Sequence, residues 1–233
     1  MQTPARLAVL FTALATSALL IAGCSSDSKS SEPLPDAATL LQDSNKVTAA
    51  LQSVHLQITT TGEIKELPIA SLTGDLTNTP AVAAQGKADI VFLGQKVDDV
   101  EFVVIDSTLF GALTPGSWSD FGPAADIYDV SAILNPDTGL ANVLASFSDP
   151  KTDGRETVNG VETYKVTGEV SADGVNKIAP QIAASGPVPG TAWISTDGKN
   201  NLVQAKLDVT KDSNVQMTMS KWGDPVTVTK PAI

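Results

Sequence analysis

The sequence predicts an α+β domain built on a large antiparallel sheet, with roughly ten strands and three or four short helices. Three observations carry this. From His55 onward, apolar residues recur at every second position in segment after segment, the period of a strand with one buried and one wet face. Turn-forming pairs separate those segments at hairpin spacing. Helical spacing is confined to the stretch before residue 55 and to short pieces in the middle.

Taken in order, Pro33-Leu34-Pro35-Asp36 opens the first helix, with Asp36 as its N-cap. Leu40, Val47, Leu51 and Val54 follow at helical spacing, with Leu41 and Ala50 beside them. At His55 the period becomes two: Leu56, Ile58 and Thr60 alternate with His55, Gln57 and Thr59. Further strands are expected over Ile69–Leu76, Ala81–Leu93, Val97–Ile105 and Thr108–Leu113, with turns at Gly94-Gln95 and Asp106-Ser107. The stretch from Trp118 to Phe147 is broken by prolines and glycines. It ends in an expected amphipathic helix carrying Leu140, Val143, Leu144 and Phe147, capped by Asp137. Strands resume at Gly154–Val158 and Val161–Val170 around an Asn159-Gly160 turn. A short helix over Ser171–Ala179 stops at Pro180, and the strand at Thr191–Ile194 follows. After the Asp197-Gly198-Lys199-Asn200 turn come two more, with Val203, Ala205, Leu207 and Val209 in one and Val215, Met217 and Met219 in the other. The helices must cover the apolar face of this sheet, and the alternation leaves the other face polar.

Ahead of the domain, residues 1–23 read as an export signal. Arg6 precedes an apolar run from Leu7 to Ala22, too short for a spanning helix, which needs about 20 residues. Leu20-Ile21-Ala22-Gly23-Cys24 is a lipobox, so Cys24 is the expected lipidation site. Residues 24–34 are then the lipidated cysteine and a flexible tether, and residues 35–233 a single domain. Cys24 is the only cysteine, which rules out an internal disulfide. The expected location is the outer, periplasmic face of the inner membrane, with cell wall or secretion as further destinations.

Composition excludes several classes. The formal net charge is −11, and removing Arg6 makes the mature chain more acidic still. A basic stripe for nucleic acid is missing. One histidine and one cysteine cannot build a metal site of the usual types, and no cofactor motif is present. His55 sits on the wet side of its strand and reads as a solvated histidine, since no Gly-x-Ser-x-Gly elbow accompanies it. The carboxylate pairs Asp98-Asp99 and Asp120 with Asp126 read as solvated acids. No catalytic residue is assigned, and the chain is expected not to be an enzyme.

Certain blocks carry a resemblance. The lipobox, the Pro33–Asp36 helix start and Trp118-Ser119-Asp120-Phe121-Gly122-Pro123-Ala124-Ala125-Asp126-Ile127-Tyr128-Asp129 resemble the mycobacterial LppX/LprA/LprF/LprG lipoproteins. Asn135–Ala145, Gly154-Arg155-Glu156-Thr157 and Ser220-Lys221-Trp222-Gly223 are similar to the LprG branch. The resemblance implies a strongly curved antiparallel half-barrel with helices over its concave face, enclosing an apolar lipid cavity. It further implies a carrier of triacylated glycolipids (lipoarabinomannan, lipomannan, phosphatidylinositol mannosides) and of triacylglycerol, moving them toward the outer envelope. A membrane transporter of the major facilitator type is the implied partner.

Such a carrier needs a void at or above the top of the usual pocket range of ~300–1,000 Å³. Small inward residues (Ala88, Gly168, Ala192, Ala205) and the flexible Met217 and Met219 are compatible with one. By parity the lining is expected from Ala88, Ile90, Phe92, Val100, Phe102 and Val104, with Met217 and Met219, under a lid of Leu140, Val143, Leu144 and Phe147. Ala88→Trp is then expected to block lipid entry. The competing reading is a surface-anchored adaptor with a solid core, using the Trp118–Tyr128 loop for contact. An envelope lipid hydrolase comes third.

Overall fold

A computed structural model of the chain describes residues 33–64, 67, 69–92 and 94–233. The export signal, the lipobox and Cys24 lie outside the described residues. Leu34–Ile233 is a compact unit that holds the whole sheet and core.

Helix α1 (Ala37–Ala49) starts at Asp36, whose carboxylate accepts from the Thr39 amide and hydroxyl, both at 2.9 Å. Six strands follow: β1 (Ser53–Thr61), β2 (Ile69–Thr77), β3 (Ala83–Phe92), β4 (Gln95–Ile105), β5 (Thr108–Thr114) and β6 (Ser117–Pro123). A 3-10 turn (Ala124–Asp126), α2 (Ser131–Leu134) and α3 (Leu140–Ala145) then lead to β7 (Phe147–Val158) and β8 (Val161–Val170). Helix α4 (Ala172–Ile178) and a 3-10 turn (Pro180–Ile182) precede β9 (Val188–Ser195), β10 (Leu202–Thr210) and β11 (Ser213–Ser220).

The eleven strands among the described residues form one antiparallel sheet in the order β6-β5-β4-β3-β2-β1-β11-β10-β9-β8-β7. The sheet is open, because β6 and β7 are its two edges. The connection between them must therefore pass from one edge to the other, and it does so as the cover of the inner face. Its residues Ile133, Leu134, Leu140, Val143 and Leu144 join Leu40 and Leu41 of α1 and Val175 and Ile178 of α4 in one core. Strand residues Leu56, Leu76, Ala84, Val104, Val166, Ala192 and Ile194 complete it from below. Asn45 ties α1 to α3 by donating to the Ala141 carbonyl at 2.6 Å. Gly139 permits the close turn into α3, where a Cβ would meet the Ile133 and Ala132 carbonyl oxygens at 2.2 and 2.3 Å.

The hairpins follow their turn chemistry. Asn159 and Gly160 both have positive φ (48° and 82°), the signature of a type I′ turn. Asp106 and Ser107 do the same at the β4–β5 hairpin without glycine.

Three sequence expectations need correction. The outer face is not uniformly polar: Ala83, Val103, Phe110 and Ala112 are buried there, with Lys230 of the C-terminal segment 5.1 Å from the Phe110 ring. The stretch after Trp118 is partly strand, as β6, and β7 begins at Phe147, well before Gly154. Asp137 does not cap α3; the N-cap is Gly139, and the Asp137 amide instead donates to Asn135 Oδ1 at 2.8 Å.

Candidate functional site: an apolar cavity under the helical cover

Antiparallel partners share a face, so the register defines one inner row across the sheet. Leu56 lies opposite Gly74 and Met219, Ile58 opposite Leu72 and Met217, and Thr60 opposite Val215. Met217 continues to Ala205, and Val215 to Leu207. Above these, Tyr128, Val130, Ile133, Leu140, Val143, Ile178 and Ile182 face down from the cover. Between the two layers lies a cavity of about 140 Å³ with almost wholly apolar walls. At the Leu56, Leu76 and Ala84 end the lining is buried, whereas Thr60, Leu67, Ile69, Leu207 and Val215 are half-buried. The mouth therefore lies at the end of the sheet where β1 ends, β2 begins and β11 begins.

Among the described residues, two polar side chains face the cavity, those of Tyr128 and Thr60. Tyr128 donates to the Ile178 carbonyl at 2.8 Å, pinning the connection after β6 to α4. Burial pushes its phenol well above the usual tyrosine range, so it stays a neutral donor. Asp75 borders the cavity only through its backbone, between the inward Gly74 and Leu76; its carboxylate lies on the outer face, with Oδ1 2.6 Å from His55 Nδ1. The Thr60 hydroxyl is buried and has no hydrogen-bond partner.

Four residues expected to line a cavity do so geometrically: Phe102, Leu140, Val143 and Met217. Ala88, Val100 and Val104 lie on the inner face, since Ala88 pairs with Leu72 and Val100, but they sit outside the lining. Ile90 pairs with Ile69 after register shifts on both sides, next to the mouth and outside the lining. Phe92 ends β3, and its side chain lies outside the described residues. Met219 and Leu144 are filled core. Phe147 is not on the helix at all; it opens β7 and lies against Gly168 and Gly190, where a Cβ would come within 3.0 Å of its ring. The void is also smaller than expected, below the ~300–1,000 Å³ range. Tyr128, Ile133, Ile178 and Ile182 bound it from the cover side.

The residues that sequence reasoning missed come mostly from β1, β2, β10 and β11. The inward parity of Leu56, Ile58 and Thr60 was the available signal. Which strands sit beneath a gap in the cover has no sequence signal.

On the outer face, His55 has more company than a solvated histidine. Besides Asp75, Thr73 Oγ1 lies 3.3 Å from Nε2, so carboxylate, imidazole and hydroxyl stand in a row. That row is on the far side of β1 and β2 from the cavity and is about 30% exposed, with side-chain values of 29% for His55 and 32% for Asp75. Elsewhere on the same face, the Glu156 carboxylate accepts from Trp193 Nε1 at 2.7 Å and from Lys165 Nζ at 2.9 Å. These bonds, the Trp193 one foremost, hold the Glu156 carboxyl below the usual glutamate range. Among the described residues no group of three or more His, Cys, Asp or Glu side chains could hold a metal ion. No helix among them is long and apolar enough to cross a membrane.

An open antiparallel half-barrel with a helical cover over an apolar chamber defines the class of protein. The chain belongs to the LppX_LprAFG lipoprotein family, whose sequence profile matches residues 36–228. It is 59% identical over 236 residues, the whole of both chains, to the lipoarabinomannan carrier protein LprG of Mycolicibacterium smegmatis. Among solved structures it is similar to LprF from Mycobacterium bovis, with 36% identity and a TM-score of 0.77 over 86% of this chain and 99% of that one. LppX from Mycobacterium tuberculosis is 28% identical, with a TM-score of 0.65 over 82% and 97% of the respective chains.

Proposed function

We propose that this chain is a lipid-anchored carrier that takes acyl chains of a triacylated glycolipid or triacylglycerol into the cavity under its helical cover. The observation that carries the reading is the cavity itself: an almost wholly apolar space, open at one end, between the sheet and the cover. Each methylene moved from water into such a wall gains about 0.8 kcal/mol, so chains of a multiply acylated lipid supply tens of kcal/mol. Lipoarabinomannan, lipomannan and phosphatidylinositol mannosides share this acylated part, and their sugars would stay outside the mouth. The carrier name of the Mycolicibacterium smegmatis relative supports the same class of cargo. A carrier of this kind makes and breaks no bonds, so the His55 row has no part in it.

At 140 Å³ the cavity is too small for three chains in its present shape. Loading therefore displaces the cover, residues 127–134 and 178–182, away from the β1–β11 row. Leu140 and Val143 on α3 act as the lid over the deep end. Cys24, lipidated, holds the domain to the outer face of the membrane. The tether to Leu34 is about ten residues, which reaches at most ~33–36 Å, so the mouth stays within reach of the bilayer. A transporter of the major facilitator type is the expected source or recipient of the cargo.

The test is to express residues 25–233 in a lipid-rich host and identify co-purifying lipid by native mass spectrometry. Bound acylated lipid is the expected result. A lipid-free protein that also refuses added triacylglycerol would overturn the carrier and leave the adaptor reading.

A further inference from the structure

We propose that the Thr60 hydroxyl is the polar anchor of the cavity, donating a hydrogen bond to an ester carbonyl of the bound lipid. The inference rests on the carrier reading and deepens it by naming the group recognised. Of the two polar side chains that face the cavity, Tyr128 is already bonded to protein, at the Ile178 carbonyl. Thr60 Oγ1 is buried and makes no hydrogen bond. A buried hydroxyl without a partner destabilises a fold, and the cross-strand neighbours here, Val215 and then Leu207, offer it nothing. Among the described residues, the other buried side-chain polar atoms without partners belong to Ser44, Asn142 and Gln181, and none of those residues lines the cavity.

Position fits the chemistry. Thr60 stands at the half-buried mouth end, while Leu56 on the same strand marks the buried end, four residues or about 13 Å deeper. A lipid whose chain runs toward Leu56 brings the first polar atoms of that chain, the ester group, level with Thr60. There the site is still dry enough for one hydrogen bond to discriminate. An ester carbonyl is a strong acceptor and has no hydrogen to donate, which matches a hydroxyl donor. The bond would fix how far the chain enters and favour esters over ether-linked or free hydrocarbon chains.

The experiment uses the chain from Ser25 onward, which contains the whole compact unit Leu34–Ile233. Equimolar tripalmitoylglycerol and tri-O-hexadecylglycerol, its ether analogue without carbonyls, compete for the protein, and native mass spectrometry reads the bound ratio. Wild type is expected to favour the ester about fivefold. Thr60→Val brings the ratio to about one, while Thr60→Ser keeps the preference. In the lipid-free state Thr60→Val melts at or above the wild-type temperature, because the change removes an unpaired buried hydroxyl; a structural hydroxyl would lower it. An unchanged ester preference in Thr60→Val, or none in wild type, overturns the anchor and leaves the carrier standing. Failure of wild type to bind either lipid overturns both.

Discussion

Ala205 sits in the middle of the inner row, opposite Ala192 on one side and Met217 on the other, and its side chain borders the cavity. An indole placed there points into the same 140 Å³ that an acyl chain would occupy. Cavity volume in a core is worth about 24 cal/mol per Å³, so filling this one recovers at most about 3.4 kcal/mol. Ala205→Trp takes that gain for itself and denies it to the ligand, a loss of about 300-fold in lipid affinity. Overpacking typically costs about 1–3 kcal/mol, so the lipid-free variant should stay within about 2 kcal/mol of wild type. Ala88→Trp is the control. Ala88 is buried on the inner face and outside the lining, so an indole there should destabilise the fold without specific loss of loading. The assay pairs urea unfolding of lipid-free protein with titration of a fluorescent triacylglycerol analogue. Wild-type affinity in a folded Ala205→Trp protein would refute the placement of the acyl chain.

Tyr128→Phe removes the bond to the Ile178 carbonyl and should cost about 0.5–1.5 kcal/mol. Amide exchange should then speed up over residues 172–182, and unchanged exchange there would mean the bond does not hold the cover. Glu156 is held below its ordinary value of about 4.3 in the folded state by Trp193 and Lys165, so its stabilising contribution is full above that value. That contribution is lost as pH falls through the lower folded value. The stability gap between wild type and Glu156→Gln should accordingly narrow as the pH is lowered from 7 toward 3; a gap that widens would contradict the sign. Cys24→Ala, expressed as a soluble form, should still load lipid but fail to support lipid transport in cells. Full rescue by it would show that the anchor serves only location.

Much of the fold was legible because it rests on local rules. Asp36 as a cap and Asn159-Gly160 as a turn are decided by side-chain and backbone geometry within four residues. The two edges were the least legible strands: β6 was missed, and β7 was expected only from Gly154. β6 contains Gly122 and ends on Pro123, and β7 contains Pro150 and a register shift between Ser148 and Lys151. Proline and bulges are tolerated where one side of a strand has no partner, so the features that signal a loop here mark an edge. Phe147 went astray for a related reason: its spacing from Leu140 fits a helix, yet α3 ends at Ala145 and the ring is needed over Gly168 and Gly190.

The inner face of each strand, the hairpins and the poverty in metal-binding residues follow from the sequence alone, because alternation and turn chemistry are properties of neighbouring residues. Cavity position was not available at that level. Ala88 and Val104 have the same parity as Leu72 and Leu76, yet only the β2 pair borders the void. A void is the small difference between the space separating two layers and the summed volume of every side chain placed there, and it depends on where Tyr128, Ile133 and Ile178 settle. The same holds for single groups. Only strand pairing sets Asp75 and Thr73 against His55, and only the assembled wall leaves the Thr60 hydroxyl without a partner.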